Sequence, residues 1–198
     1  MARLQLNKSS LARETTQLKT YRRFLPSLDL KRRQLMAAAA AAETALTAAQ
    51  AAVEDIAARV GRDVPMLANE EVSLDGLARL KGRRTRSENM VGVALPVLAE
   101  VDVEIRPYDA LAKPHWVDDV ARLLTEMLRA RLEVHVAQRR AELLRAALAT
   151  VTQRVNLFEQ VLIPRTEHNI KRIRIHLNEE AMSAVVRSKI AKRKRAAP

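Results

Sequence analysis

Leu144, Leu148, Val151, Val155, Phe158 and Leu162 are separated alternately by four and three residues. That spacing lines all six along one stripe of an α-helix, the seam of a coiled coil. The series extends backwards through Val120, Met127, Val134 and Ala141, with Leu123, Ala130 and Ala137 between them. It predicts one long helix from about Trp116 to Ile190. A helix with a single apolar stripe must bury it against something, and the N-terminal region has the matching character. Leu4, Leu11, Leu18, Leu25, Arg32, Ala39, Leu46, Val53 and Val60 recur every seven residues, Arg32 being the one charged member. Tyr21, Leu28, Leu35, Ala42, Ala49 and Ile56 form the companion series, with Asn7 and Glu14 in its first two places. Ala37–Ala42 combines high helix propensity with side chains small enough for close helix approach.

Breaks in the pattern place the ends. Asn7, Ser9 and Ser10 are candidate caps for the first helix, and Gly61 stands where a C-cap glycine belongs. A helix of about 50 residues, roughly 75 Å long, is expected between them. Pro26 removes a backbone donor inside it and predicts a kink. From Arg62 to Glu100, Pro65, Gly76, Gly82, Gly92 and Pro96 exclude a long helix. Ser73–Lys81 reads as a short helical turn. Val91–Val93, Val97–Leu98 and the alternation Val101, Val103, Ile105 predict a short β-hairpin. Pro107 and Pro114 end it, and Pro114 reads as the first residue of the last helix. Asp118 and Asp119 then fall in its first turn, where carboxylates favour the positive dipole end. Near Pro164 the seam slips by one residue, from Val155 and Leu162 to Ile163, Ile170, Leu177 and Ala184. A proline with a phase change predicts a kinked or locally unwound turn.

The expected fold is all-α: a long antiparallel two-helix coiled coil formed by the N- and C-terminal helices, with a small middle region containing the hairpin. The divisions are 1–61, 62–115 and 116–198, the last including a basic tail. Matching the helix ends pairs Leu11 with Ile190 and Val60 with Ala141, and brings both basic termini to one tip.

Composition supports thin helix packing over a deep core: 48 % apolar residues, 3 % aromatics and only 4 glycines. The absence of cysteine excludes a disulfide framework and thiolate chemistry. The net charge is +12. Nine Lys/Arg against two acids leave +7 in the first 33 residues, six cations give +6 in Arg187–Arg195, and the rest carries −1. No apolar run approaches the ~18 to 20 residues of a membrane span. The N-terminus lacks a signal-peptide core.

Several stretches carry a family resemblance. Leu6-Asn-Lys-Ser-Ser-Leu11, Asp29-Leu-Lys-Arg-Arg-Gln-Leu35, Arg154-Val-Asn-Leu-Phe-Glu159 and Val161-Leu-Ile-Pro-Arg165 with Asn169-Ile170 resemble the D subunit of the V-type and A-type rotary ATPases. Asn89–Val93 and Trp116-Val-Asp118 are similar to its middle region. The block from Arg154 to Ile170 is the most specific, because no heptad demands its Val-Asn and Ile-Pro-Arg. The resemblance implies a central-stalk rotor subunit, without cofactor or catalytic residue, that transmits torque between the A/B ring and the ion-translocating membrane rotor. Its implied partners are the A and B subunits, the small F subunit of the stalk and a funnel-shaped subunit above the membrane. The implied location is cytoplasmic and peripheral to the membrane. Carried onto this chain, the family-motif and partner-contact candidates are Lys31, Arg32, Arg33, Arg154, Asn156, Glu159, Pro164, Arg165 and Asn169, with Lys189, Lys192 and Arg193 at the basic end.

Other constellations point to no chemistry. His168 and His176 stand eight apart, where a helical zinc pair needs i, i+4. His115 and His135 have no carboxylate or cysteine pattern beside them. Glu179–Glu180 and Asp118–Asp119 are adjacent on helices and diverge. Lys81-Gly-Arg-Arg-Thr-Arg86 lacks the elements of a phosphate loop and reads as a mobile basic loop. The alternative function is a basic coiled-coil nucleic-acid-binding or scaffolding protein, with Lys192–Arg195 holding phosphates. Against it stand the lack of stacking aromatics near that tail and of any helix-turn-helix or zinc-finger pattern.

Overall fold

The computed structural model describes residues 4–68, 74–108 and 114–196. Helix α1 covers Lys8–Asp63, strands β1 and β2 cover Ala78–Met90 and Val93–Ile105, and α2 covers Val117–Asn156. A π-helical turn, Leu157–Leu162, leads into α3, Ile163–Ala196. The chain divides into two compact units, one holding residues 33–149 and the other the residues up to 32 with those from 150 onward.

In the 33–149 unit, α1 and α2 run antiparallel. Arg145 Nε donates to Glu43 at 2.8 Å, and Arg59 pairs with Glu126. Leu35, Ala39, Ala141 and Leu144 are buried between them. Where the helices end, Val64, Leu77, Trp116, Val117, Val120, Ala121 and Leu123 form a small core. Helix α1 passes through Gly61 rather than stopping there. The Val64 N–H still donates to the Val60 carbonyl at 3.1 Å, and Pro65 opens a 3-10 turn that ends the run. Pro114 lies outside α2, which begins three residues later after a turn closed from Val117 N–H to Pro114 O. Asp118 and Asp119 do occupy the first turn.

The hairpin is longer than its apolar pattern suggests. The strand β2 contains the expected valines except Val91, which falls in the turn, but its partner is Ala78–Met90, the stretch read as a helical turn and a mobile loop. Ser73 lies outside the described residues. β1 is mostly cationic and polar, with Leu80 and Met90 its only large apolar residues, so it carries no alternating hydrophobic signal. Pairing supplied by β2 overrides its weak strand propensity. Val91 and Gly92 form the two-residue turn with φ of 54° and 78°, and the Gly92 N–H donates to Asn89 Oδ1 at 2.9 Å. Bulges interrupt the register between Leu80 and Gly82 and between Arg84 and Thr85.

In the other unit, the Asn7 side chain caps α1 by accepting from Ser10 N–H at 2.7 Å. Helix α1 continues through Pro26 without a break. The first half of α1 runs antiparallel to the chain beyond residue 150. Tyr21 packs edge-on against Phe158 with centroids 5.4 Å apart, and Asn169 donates to Glu14 at 3.1 Å. Val151, Val155, Ile170 and Ile173 are the buried seam. The seam passes through the proline as expected and by a definite device. Ile163 N–H donates to the Phe158 carbonyl five residues back, so the π turn absorbs one extra residue.

The expected pairing of ends is corrected in both units. Glu14 meets Asn169, so Leu11 lies well short of Ile190. Arg59 meets Glu126, and Val60 shares a groove with Leu123, Leu124 and Met127, not with Ala141. End-matching assumed flush helices, whereas every residue from 181 to 195 is exposed and α3 outruns α1. Ala184 is therefore not a seam residue, and the basic segments at the two chain ends are staggered by roughly 20 Å of helix.

Candidate functional site

The motif residues fall into several places. Asn169 is half-buried and reaches across to Glu14, a carboxylate only 8 % exposed in a companion position of the heptad. A polar pair inside an apolar seam fixes axial register, because sliding would strand both groups. Arg22, beside it on α1, bonds Glu167 at 2.6 Å, with both side chains exposed. Arg32 lies half in the seam. Its guanidinium bonds Asp29 one turn back, and its buried Nε has no hydrogen-bond partner. Lys31 is exposed on the same helix, and Arg33 belongs to the other unit.

Arg154, Asn156, Glu159, Pro164 and Arg165 surround the π turn and are all exposed. Pro164 brings no N–H, which leaves a carbonyl in the preceding turn without its helical donor. Thr166 Oγ1 donates to the Leu162 carbonyl at 2.7 Å on the other side. The widened turn presents Leu157 and Val161, 46 % and 47 % exposed, as an outward apolar pair flanked by Glu159 and Arg154. Motif residues and backbone irregularity thus meet on one surface. Lys189, Lys192 and Arg193 lie on the exposed end of α3, roughly 30 Å of helix from Asn169. At 100° per residue, Met182, Val185, Val186 and Ile190 share one side of that end, opposite the Ile170–Ile173–Leu177 seam.

Sequence reasoning misses Glu14, which looks like a flaw in the heptad, and the whole of β1. It also misses Arg140, whose guanidinium spans from α2 to the Glu88 carboxylate and the Pro96 carbonyl, at 3.4 and 3.2 Å. Tyr108 donates to Asp118 at the start of α2. That hydrogen bond, first, then burial and the carboxylate's charge, holds the tyrosine hydroxyl above its usual range. Among the described residues no three His, Cys, Asp or Glu side chains gather as a metal site would need. No described helix is long and apolar enough to cross a membrane.

Exposed apolar pairs and a cationic helix end, on helices whose register is pinned, suit a component of a larger assembly. Comparison with known proteins agrees. The sequence model of the ATP synthase D subunit matches residues 10–193. The V-type ATP synthase D subunit of Borreliella burgdorferi is 30 % identical over 97 % of this chain and 95 % of its own length. Those of Chlamydia trachomatis serovar L2 and Chlamydia muridarum are 31 % and 29 % identical, each over 98 % of this chain and 96 % of their own. The chain belongs to the D-subunit family of ATP synthases. It is accordingly a central-stalk subunit of a V/A-type ATPase, and the nucleic-acid reading is not favoured.

Proposed function

We propose that the chain is the torque-carrying, non-catalytic shaft of its complex, cytoplasmic and peripheral to the membrane. Its free end enters the ring of A and B subunits, and its middle region meets the small F subunit and the funnel-shaped subunit above the membrane rotor. The functional divisions are the helix 1–61, the middle 62–115 and the helix with basic tail 116–198. The observation that carries this reading is the end of α3. Residues 181–195 are exposed on every side yet carry an apolar stripe, Met182, Val185, Val186 and Ile190, and a cluster of cations. An isolated helix end gains nothing from that stripe in water; inside a surrounding ring it supplies contact, while cations supply long-range attraction.

Torque needs a shaft whose helices do not slip along each other. The Glu14–Asn169 and Arg22–Glu167 contacts support that role in one unit, and Glu43–Arg145 and Arg59–Glu126 in the other. Lys31, Arg32, Arg33 and the exposed groups around the π turn are proposed partner contacts. The test is reconstitution with the A/B hexamer. Truncation after Glu180 should leave the chain folded by circular dichroism and abolish ATP-driven rotation of a bead attached to the hairpin. Full rotation without the end would refute the reading.

A further inference from the structure

We propose that the outer edge of β1 takes up an extended acidic segment of a partner polypeptide as a third strand. The hairpin has two strands and therefore two outer edges. Its two-residue turn closes on Met90 and Val93, which form a hydrogen-bonded pair. Alternation then makes Glu88–Leu95 and Arg86–Val97 bonded pairs, and Asn89–Ala94, Ser87–Pro96 and Thr85–Leu98 non-bonded ones. The backbone groups of the non-bonded residues point outward. The outer edge of β2 is blocked at its centre: Pro96 has no N–H to offer, and Arg140 holds its carbonyl at 3.2 Å. The outer edge of β1 has no such block at Thr85, Ser87 and Asn89. All three are exposed, none is proline, and both bulges lie on the Leu80–Thr85 side of this run.

Charge selects the occupant. Arg79, Lys81, Arg83 and Arg84 precede the open run and Arg86 lies within it, while the one acid of the run, Glu88, is held by Arg140 of α2 at 3.4 Å. Of these five cations, only Arg84 has a carboxylate partner among the described residues, Glu100, at 3.4 Å with both side chains well exposed. A row of cations repels a second copy of the same edge, which is how exposed strands avoid pairing with themselves. An acidic strand turns that repulsion into attraction and also satisfies the outward N–H and C=O groups. The edge binds in this way whether or not the chain rotates, since every group used lies within the hairpin and α2.

The test uses the full chain and a fluorescent synthetic peptide of alternating glutamate and valine. Its control is the same peptide N-methylated at alternate amides, equal in charge but unable to complete the ladder. The unmodified peptide should bind about tenfold more tightly or better than the control, as a few backbone hydrogen bonds would give. It should slow exchange of the Thr85, Ser87 and Asn89 amides while leaving Arg86 and Glu88 unchanged. Joint replacement of Arg83 and Arg86 by Gln should weaken binding, and the loss should shrink as salt rises. Ser87→Pro places on β1 the block that Pro96 places on β2, and should abolish binding while Arg86 and Glu88 stay protected. Should that variant lose the hairpin, the N-methylated control still decides. Equal binding of both peptides, protection elsewhere, or no binding at low salt would each overturn the proposal.

Discussion

At the scale of single residues, Val91 is the one non-glycine at positive φ among the described residues. A β-branched side chain at φ 54° sits where such turns prefer asparagine or glycine. Val91→Asn should therefore stabilise the hairpin by about 1 kcal/mol. Hydrogen exchange of the Glu88 and Arg86 amides would show it as slower opening, and unchanged exchange would mean the turn is not limiting. Tyr108 makes a second residue-scale case. Its hydroxyl is held above its usual range by donation to Asp118, so the contact stabilises while the phenol is protonated. That contribution is complete below the unfolded tyrosine value of about 10 and is lost as pH rises through the higher folded value. Tyr108→Phe should lower the melting temperature at neutral pH and flatten its fall above about pH 10. Parallel melting curves of the two proteins across that range would exclude the contact as a stabilising one.

At the scale of elements, the seam is uneven, and the difference is measurable. Leu144 is 1 % exposed while Leu148, one turn on, is only half-buried. Leu144→Ala should cost about 3 kcal/mol and Leu148→Ala distinctly less. Equal costs in chemical denaturation would mean that the thin packing distributes its energy along the stripe. The π turn allows a coupled test. Deleting Gln160 should close the turn into regular helix, but Pro164 would then sit in an α-helical interior and cost about 3 kcal/mol. Adding Pro164→Ala to the deletion should recover most of that loss, and simple additivity of the two changes would show that proline and bulge are unrelated. These elements also show how far a sequence can be read. The seams, the cap at Asn7, the acidic first turn of α2 and the slip at Pro164 were legible because helix periodicity and capping are local. β1 was not, because Arg79–Asn89 holds strand conformation only by pairing with β2, a non-local cause. The register was not either. Heptads repeat every seven residues and look the same after sliding, whereas the pins that select one register, Glu14 with Asn169 and Arg59 with Glu126, are single polar contacts that break the pattern. Of the candidate contact residues, the sequence located the π-turn group by motif. It could not reveal that Leu157 and Val161 would be turned outward there.

At the scale of the whole molecule, charge is the property that no element explains. The chain carries +12, and Arg187–Arg195 holds six cations with no acid. This segment lies on the part of α3 that is exposed all round, so its field reaches outward instead of being spent on internal pairs. Free in solution, that field is screened within about 8 Å at physiological salt. If this end enters a ring as proposed, a narrow protein bore with few mobile ions would let the field act over a longer range on any acidic group lining the wall. Such a field should draw the shaft into its ring during assembly and bias the angles at which it rests, without fixing it by any one hydrogen bond. Replacing Lys189, Lys192, Arg193, Lys194 and Arg195 together by glutamine should leave the helix intact, since glutamine is a comparable helix former. Association with the A/B ring should weaken at low salt, and the difference from the parent should vanish as salt rises. Each single replacement should change little, as an exposed ion pair is worth only about 0 to 1 kcal/mol. An unchanged, salt-insensitive affinity in the fivefold variant would leave contact to the stripe of Met182, Val185, Val186 and Ile190 alone. One residue accounting for the whole loss would instead mark a specific site on the ring, and the shaft would then have to break that contact at every step of rotation.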